Sequence, residues 1–200
     1  MAFDKVMIVE KLRGWEQHFS EYRLPTWSEI PDFGIYMEQV LTFLNQHLGF
    51  MPPDIRDEPL ITAATINNYV RKRIMPEPVK KKYYREHLVY LILICSLKHC
   101  LTITSLQPMI PLSLTEDELH SLYDSYVVRH RTAVKFFSEQ VRLAATSILD
   151  PSKSLSPLAT DDIPEFIISA AVLGGFSRFL AEKLLMLDDG SGDKPKQDEQ

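Results

Sequence analysis

The sequence predicts an all-α protein, and three observations carry that expectation. Apolar residues recur at helical spacing over long stretches, alternating β-branched runs are rare, and only seven glycines occur in 200 residues. With 45% apolar and 24% charged residues, the chain has the composition of a soluble globular domain, long enough to bury a core without disulfides or metals.

The elements follow in order. Residues 4–22 place Val6, Ile8, Val9, Leu12, Trp15, Phe19 and Tyr22 on one broad face, a first helix that Leu24-Pro25-Thr26-Trp27 breaks. Asp32 is the expected N-cap of a second helix carrying Ile35, Met37, Val40, Leu41, Phe43, Leu44 and Leu48. Gly49, Pro52, Pro53, Asp54 and Pro59 mark residues 49–60 as a loop. Thr62 caps a short helix that must end before Met75-Pro76-Glu77-Pro78, where prolines forbid continuation. Residues 85–100 form the next helix, and its run from Leu88 to Leu97 is apolar on nearly every side, as in a central buried helix. That run falls well short of the roughly 20 residues a membrane span requires.

Thr115 and Glu118 form a capping box that opens a helix expected to reach Leu149. Tyr123, Val127, His130, Val134, Phe137, Val141, Ala144 and Ile148 follow a 4-3-4-3 spacing along it, a coiled-coil-like seam. Leu119, Leu122, Tyr126, Ala133, Phe136 and Leu143 widen the apolar surface, so this helix is expected to pack on the domain body and on another long helix. A Ser/Pro-rich linker follows from Asp150, then a helix over residues 163–187, whose small residues Ala170, Ala171, Gly174 and Gly175 favour close helix packing. Residues 188–200 are polar and acidic, a tail expected to be disordered.

Charge is unevenly distributed. The net charge of −5 argues against a protein that coats nucleic acid through overall basicity. Yet residues 62–87 hold seven Lys/Arg against two acids, a local +5, while the remainder carries −10. A basic island on an acidic chain is the expected footprint of a phosphate-meeting surface, although many such runs are only solvated faces. In the short helix, Ile66, Tyr69, Val70, Arg73 and Ile74 fall on one side, Ala64, Asn67, Asn68, Arg71 and Lys72 on the other. Small, amide and guanidinium groups are the set that reads base edges in a major groove: Asn pairs with adenine, Arg with guanine, and Ala64 and Thr65 leave room for close approach. Lys80, Lys81 and Lys82 suit backbone phosphates, which carry no sequence information.

Thr62-x-x-Thr65-Ile66-x-x-Tyr69-Val70, then Ile74-Met75-Pro76-x-Pro78, then Lys82-Tyr83-Tyr84-Arg85-Glu86-His87-Leu88 resembles the winged helix-turn-helix of mercury-resistance-type (MerR) regulators. Over about residues 25–110 the chain is similar to the bacterial family of domains of unknown function 1836, whose hallmark run resembles INNYVRKRIMPEPVKKKYYREHLVYLILIC. The resemblance implies a recognition helix, a turn, a wing and a following helix, in proteins that bind DNA as dimers through a long C-terminal helix. It departs from the pattern in three places. The loop before Thr62 is about four times the usual 3–4-residue turn, the wing lacks its opening Gly, and Tyr84 stands where Ser, Thr or Asp commonly caps.

Other clusters carry less. Cys95 and His99 are i,i+4 and Cys100 lies next to them, but no second cluster completes a zinc site, so buried small hydrophobes account better for the cysteines and no metal or other cofactor is expected. No phosphate-binding Gly loop, nucleophile elbow or zinc-protease motif occurs, and the six histidines are scattered, so no enzyme is expected. The two unpaired cysteines and an N-terminus lacking a signal-peptide core suit the cytoplasm.

The expected organisation is a helical DNA-binding domain over residues 1–112, with a winged-helix core over about 34–110, and a dimerisation or effector region over residues 113–187. Ala64, Thr65, Asn67, Asn68 and Arg71 would read bases of double-stranded DNA. Lys72, Lys80, Lys81, Lys82 and Arg85 would bind phosphates, and Tyr83 and Tyr84 would position the wing. Tyr123, Val127, His130, Val134, Phe137 and Val141 would form the seam of a homodimer, on a helix that serves dimerisation, the sensing of an unidentified effector, or both, with no membrane partner. The rival expectation is an all-α interaction module whose basic 71–85 surface docks an acidic protein.

Overall fold

The computed structural model describes residues 5–48, 60–149, 160 and 162–187. The expected loop over 49–60 except its last residue, the linker from Asp150 to residue 159, and the tail from residue 188 lie outside them. Among the described residues the chain is all-α: α1 Lys5–Glu21, α2 Met37–His47, α3 Ala63–Arg71, α4 Arg85–Leu97, α5 Ile103–Leu106, α6 Glu116–Ala144, α7 Thr146–Leu149 and α8 Ile163–Leu187, with one 3₁₀ turn at Trp27–Glu29.

Helix α4 is the axis of the main core. Every residue from His87 to Cys95 is buried, so neighbours must cover all sides of this helix. Helices α2, α5 and α6 pack directly on it, and α3 contributes Ile66 and Tyr69 to the same core. Burial pushes the Cys95 thiol up to about 11, while Cys100 is exposed. Among the described residues no three His, Cys, Asp or Glu side chains are grouped to hold a metal ion.

The main core also takes in Leu119 and Tyr123 from the first turns of α6, on the far side of the boundary expected at residue 112. Tyr123 is fully buried, and its hydroxyl donates to the Pro25 carbonyl at 2.7 Å, tying α6 to the segment after α1. A second, smaller core joins Leu12 of α1, Ala145, Ile148 of α7 and Ile163 of α8.

Three boundaries differ from expectation. Asp32 does not cap α2. An antiparallel bridge between Ile35 and Tyr83 holds the chain there and Tyr36 is extended, so the helix starts at Met37 with Tyr36 in the cap position. Helix α4 ends at Leu97 rather than at residue 100, so His99 does not continue the helical face of Cys95. The helix opened by the Thr115–Glu118 capping box stops at Ala144, and the chain turns at Ala145 before α7.

Much of the seam on α6 is covered from within the chain, because α1 packs against it. The Tyr22 ring meets His130 edge-on at 5.6 Å, Phe19 meets Phe137 at 5.8 Å, and Val141 packs into the smaller core. Val127 joins the main core and Val134 is half-buried. Burial lowers the His130 pKa and favours a neutral ring there. Apolar groups remain exposed all the same: the seam residue Phe137 with Val128 and Phe136 on α6, and Ile167, Ile168, Val172 and Leu173 on α8. No helix among the described residues is long and apolar enough to cross a membrane.

Tyr123→Phe removes the donor that satisfies the buried Pro25 carbonyl. It is expected to lower stability by about 1–3 kcal/mol in urea denaturation. An unchanged midpoint would mean that the bond contributes nothing to holding α6 on the core.

Candidate nucleic-acid interface

Helix α3 starts where its local chemistry dictates. The Thr62 hydroxyl accepts the Thr65 N–H at 3.2 Å and lies 2.9 Å from the Thr65 hydroxyl. Ile66 and Tyr69 then point into the core with Val70 half-buried, whereas Ala64, Asn67, Arg71 and Lys72 are exposed and Thr65 and Asn68 partly so. The amphipathic division is as expected except at Arg73, which periodicity puts on the inner side but which is exposed, because it follows the helix rather than continuing it. On the outer face, Arg71 Nη2 donates to Asn68 Oδ1 at 2.8 Å. This bond braces the guanidinium against its own helix and leaves its remaining donors facing outward.

The end of α3 is a Schellman motif: Ile74 N–H donates to the Tyr69 carbonyl and Arg73 N–H to the Val70 carbonyl, each at 2.9 Å. Arg73 occupies the left-handed position, with φ 53°. Beyond the prolines, Val79 and Lys82 exchange two backbone hydrogen bonds of 3.0 Å, closing a two-residue hairpin turn. Lys80 and Lys81 are its central residues, with φ 50° and 63°, the pair of positive values that a type I′ turn needs.

Among the described residues, Arg73, Lys80 and Lys81 are the non-glycine residues with positive φ. Glycine or asparagine is the usual occupant of such positions, and another L-residue costs roughly 1–2 kcal/mol there. All three are cations, and all three lie in the basic island. The sequence places charge where backbone stability favours glycine.

The hairpin is anchored from below. Tyr83 is buried and pairs with Ile35, with N···O distances of 2.8 and 2.9 Å. His87 is fully buried one helical turn further on. Its Nδ1 accepts the Tyr84 N–H at 3.1 Å, and its Nε2 lies 2.9 Å from the Glu77 carbonyl. A backbone N–H can only donate and a carbonyl can only accept, so these two contacts call for an accepting Nδ1 and a donating Nε2. One imidazole thus holds the chain on both sides of the hairpin and, at the third position of α4, does what Glu or Gln does in a capping box. Gly34 completes the support, since a Cβ there would lie 2.9 Å from Lys82 Cβ and from Tyr84 Cζ. Neither His87 nor Gly34 stood out in the sequence. The spacing of Tyr84 and His87, which matches cap and third helical position, was the one local signal.

The structure therefore brings Ala64, Asn67, Asn68 and Arg71 together on one outer face, and Lys80, Lys81 and Lys82 together at one hairpin. Thr65 is engaged in the cap, Tyr83 serves the core, and the half-buried Tyr84 lies against Gly34. Arg85 is turned inward: its Nε donates to the Ile30 carbonyl at 3.1 Å, its guanidinium lies 5.5 Å from the centre of the Trp27 ring, and Asp32 is 3.9 Å away.

A family model described as "Domain of unknown function (DUF1836)" matches residues 25–126. That span nearly coincides with the stretch from Leu24 to Tyr123 that builds the main core and carries the basic surface. No curated protein and no solved structure matches the chain.

Glycine-type substitutions at the strained positions test whether charge is held there against stability. Arg73→Gly and Lys81→Gly are each expected to raise stability by about 0.5–1 kcal/mol in urea denaturation. A loss of stability in both would show that the left-handed backbone carries no strain.

Proposed function

The chain belongs to the DUF1836 family, and we propose that it is a sequence-specific DNA-binding transcription regulator of MerR-like type. The observation that carries this reading is the set of three cations at left-handed positions around the end of α3 and the hairpin. Strain kept at a defined surface points to a use for that surface, and the only shared property of these side chains is positive charge. The order of α2, α3, a two-residue hairpin and α4 supports the winged-helix comparison, with α3 as the reading helix.

In this reading Asn67, Asn68 and Arg71 meet base edges, and Ala64 and Thr65 leave room for the groove wall. Lys72, Lys80, Lys81 and Lys82 pair with phosphates and fix orientation. Arg85 supports the surface from behind through its bond to the Ile30 carbonyl. A homodimer fits the exposed apolar groups of α6 and α8, since α1 already covers much of the α6 seam and leaves Phe137, Phe136 and Val128 open.

The test is selection from random duplex near physiological salt, followed by titration of the selected site. Arg71→Ala is expected to weaken binding by about 1–3 kcal/mol and to relax one base position. Lys81→Ala is expected to weaken all sequences alike and to lower the salt slope by about one. Equal, sequence-independent losses from both would remove the base-reading role. Binding of an acidic protein that survives excess duplex would favour an interaction module instead.

A further inference from the structure

The short ribbon made by residues 34–36 and 82–84 has a face that the core does not use. Ile35 and Tyr83 pair and turn inward. Pleating sends the flanking pairs to the opposite side, Gly34 across from Tyr84 and Tyr36 across from Lys82. The Lys82 ammonium stands 5.5 Å from the centre of the Tyr36 ring, and Tyr36 is 57% exposed.

The cap of α2 does not use the Tyr36 ring. Tyr36 occupies the cap position without making a side-chain cap bond. The bond that serves the cap is its backbone N–H to Gln39 Oε1 at 2.9 Å, which needs no ring. Serine or aspartate would cap better, and a lysine over an exposed ring contributes little in water. The close approach at Gly34 meanwhile holds Lys82 and Tyr84 down on this face, so the Tyr36–Lys82 pair sits on a supported surface.

We propose that Tyr36 and Lys82 form a subsite for one sugar–phosphate unit of duplex DNA. The ring packs against the C–H face of a deoxyribose while the ammonium pairs with the adjoining phosphate. An apolar ring with a cation at its side matches a ligand in which an apolar ring and an anion are neighbours. The subsite rests on the reading of α3 and the hairpin as a DNA surface, and adds to it a residue from the strand before α2. Duplex is favoured over single strand because α3, which the chain completes just before the hairpin, presents the groove-reading types Asn67 and Arg71 on its exposed side.

Tyr36→Ser tests the subsite cleanly, because it deletes the ring and supplies a preferred cap for α2. Titrations of the selected duplex and of one of its strands, across a salt series, compare it with Tyr36→Phe and Lys82→Ala. Tyr36→Ser is expected to weaken duplex binding about tenfold with an unchanged salt slope. Tyr36→Phe is expected to bind like the wild type, and Lys82→Ala to lower the slope by about one. Unchanged duplex affinity in Tyr36→Ser overturns the subsite while leaving the wider DNA reading intact. A loss confined to the single strand assigns the ring to base stacking and also overturns it. Failure of the wild type to bind any duplex overturns both.

Discussion

Helix α4 imposes the constraint on which the other elements depend. A helix turns by 100° per residue, so a run of nine consecutive buried residues, His87 to Cys95, leaves no side free for water. Its Leu, Ile and Val side chains contribute roughly 1.5–3 kcal/mol each when fully buried, and that gain is available only if α2, α3, α5 and the first turns of α6 surround the axis. The Tyr123–Pro25 bond and the bond from the Tyr90 hydroxyl to the Pro111 carbonyl at 2.6 Å meet the polar needs of that enclosure. The family match from residue 25 to 126 traces the same enclosure.

The basic surface is attached at the N-terminal end of this axis, where packing is tight enough to hold strained backbone. Tyr83 is in the core, Tyr84 caps α4 through His87, and His87 reaches back to Glu77. Between those fixed points the chain must reverse within a few residues, and it does so through left-handed lysines rather than glycines. A core of this size can offset a few kcal/mol of local strain. The result is a rigid mount for flexible ammonium groups, together with an arginine braced by Asn68 on the neighbouring helix.

What the sequence revealed and what it hid divide along the range of the interactions. Thr62 and Thr115 were readable as caps because a hydroxyl and an N–H three residues on settle the matter locally. The all-round apolar run of α4 and the two faces of α3 were readable from periodicity alone. Asp32 misled because a bridge to Tyr83, far along the chain, takes the backbone of Ile35 out of helical conformation. Arg85 reads as one more cation in a basic run, and its inward turn depends on the carbonyl of Ile30, 55 positions away. Gly34 and His87 were silent for the same reason, since what each does is defined by a segment distant in sequence. The seam of α6 was legible as a seam, while its occupant, the chain's own α1, was not. The left-handed lysines were hidden by their identity, because turn signals are sought in glycine and asparagine.

The central claim is that the surface built by α3 and the hairpin reads DNA, and the most direct measurement is capture of fragmented genomic DNA on the purified protein near physiological salt, followed by sequencing. The account predicts enrichment of a short inverted-repeat site that disappears with Arg71→Ala. Uniform, weak, salt-sensitive recovery of all fragments, the same with and without Arg71, would contradict it.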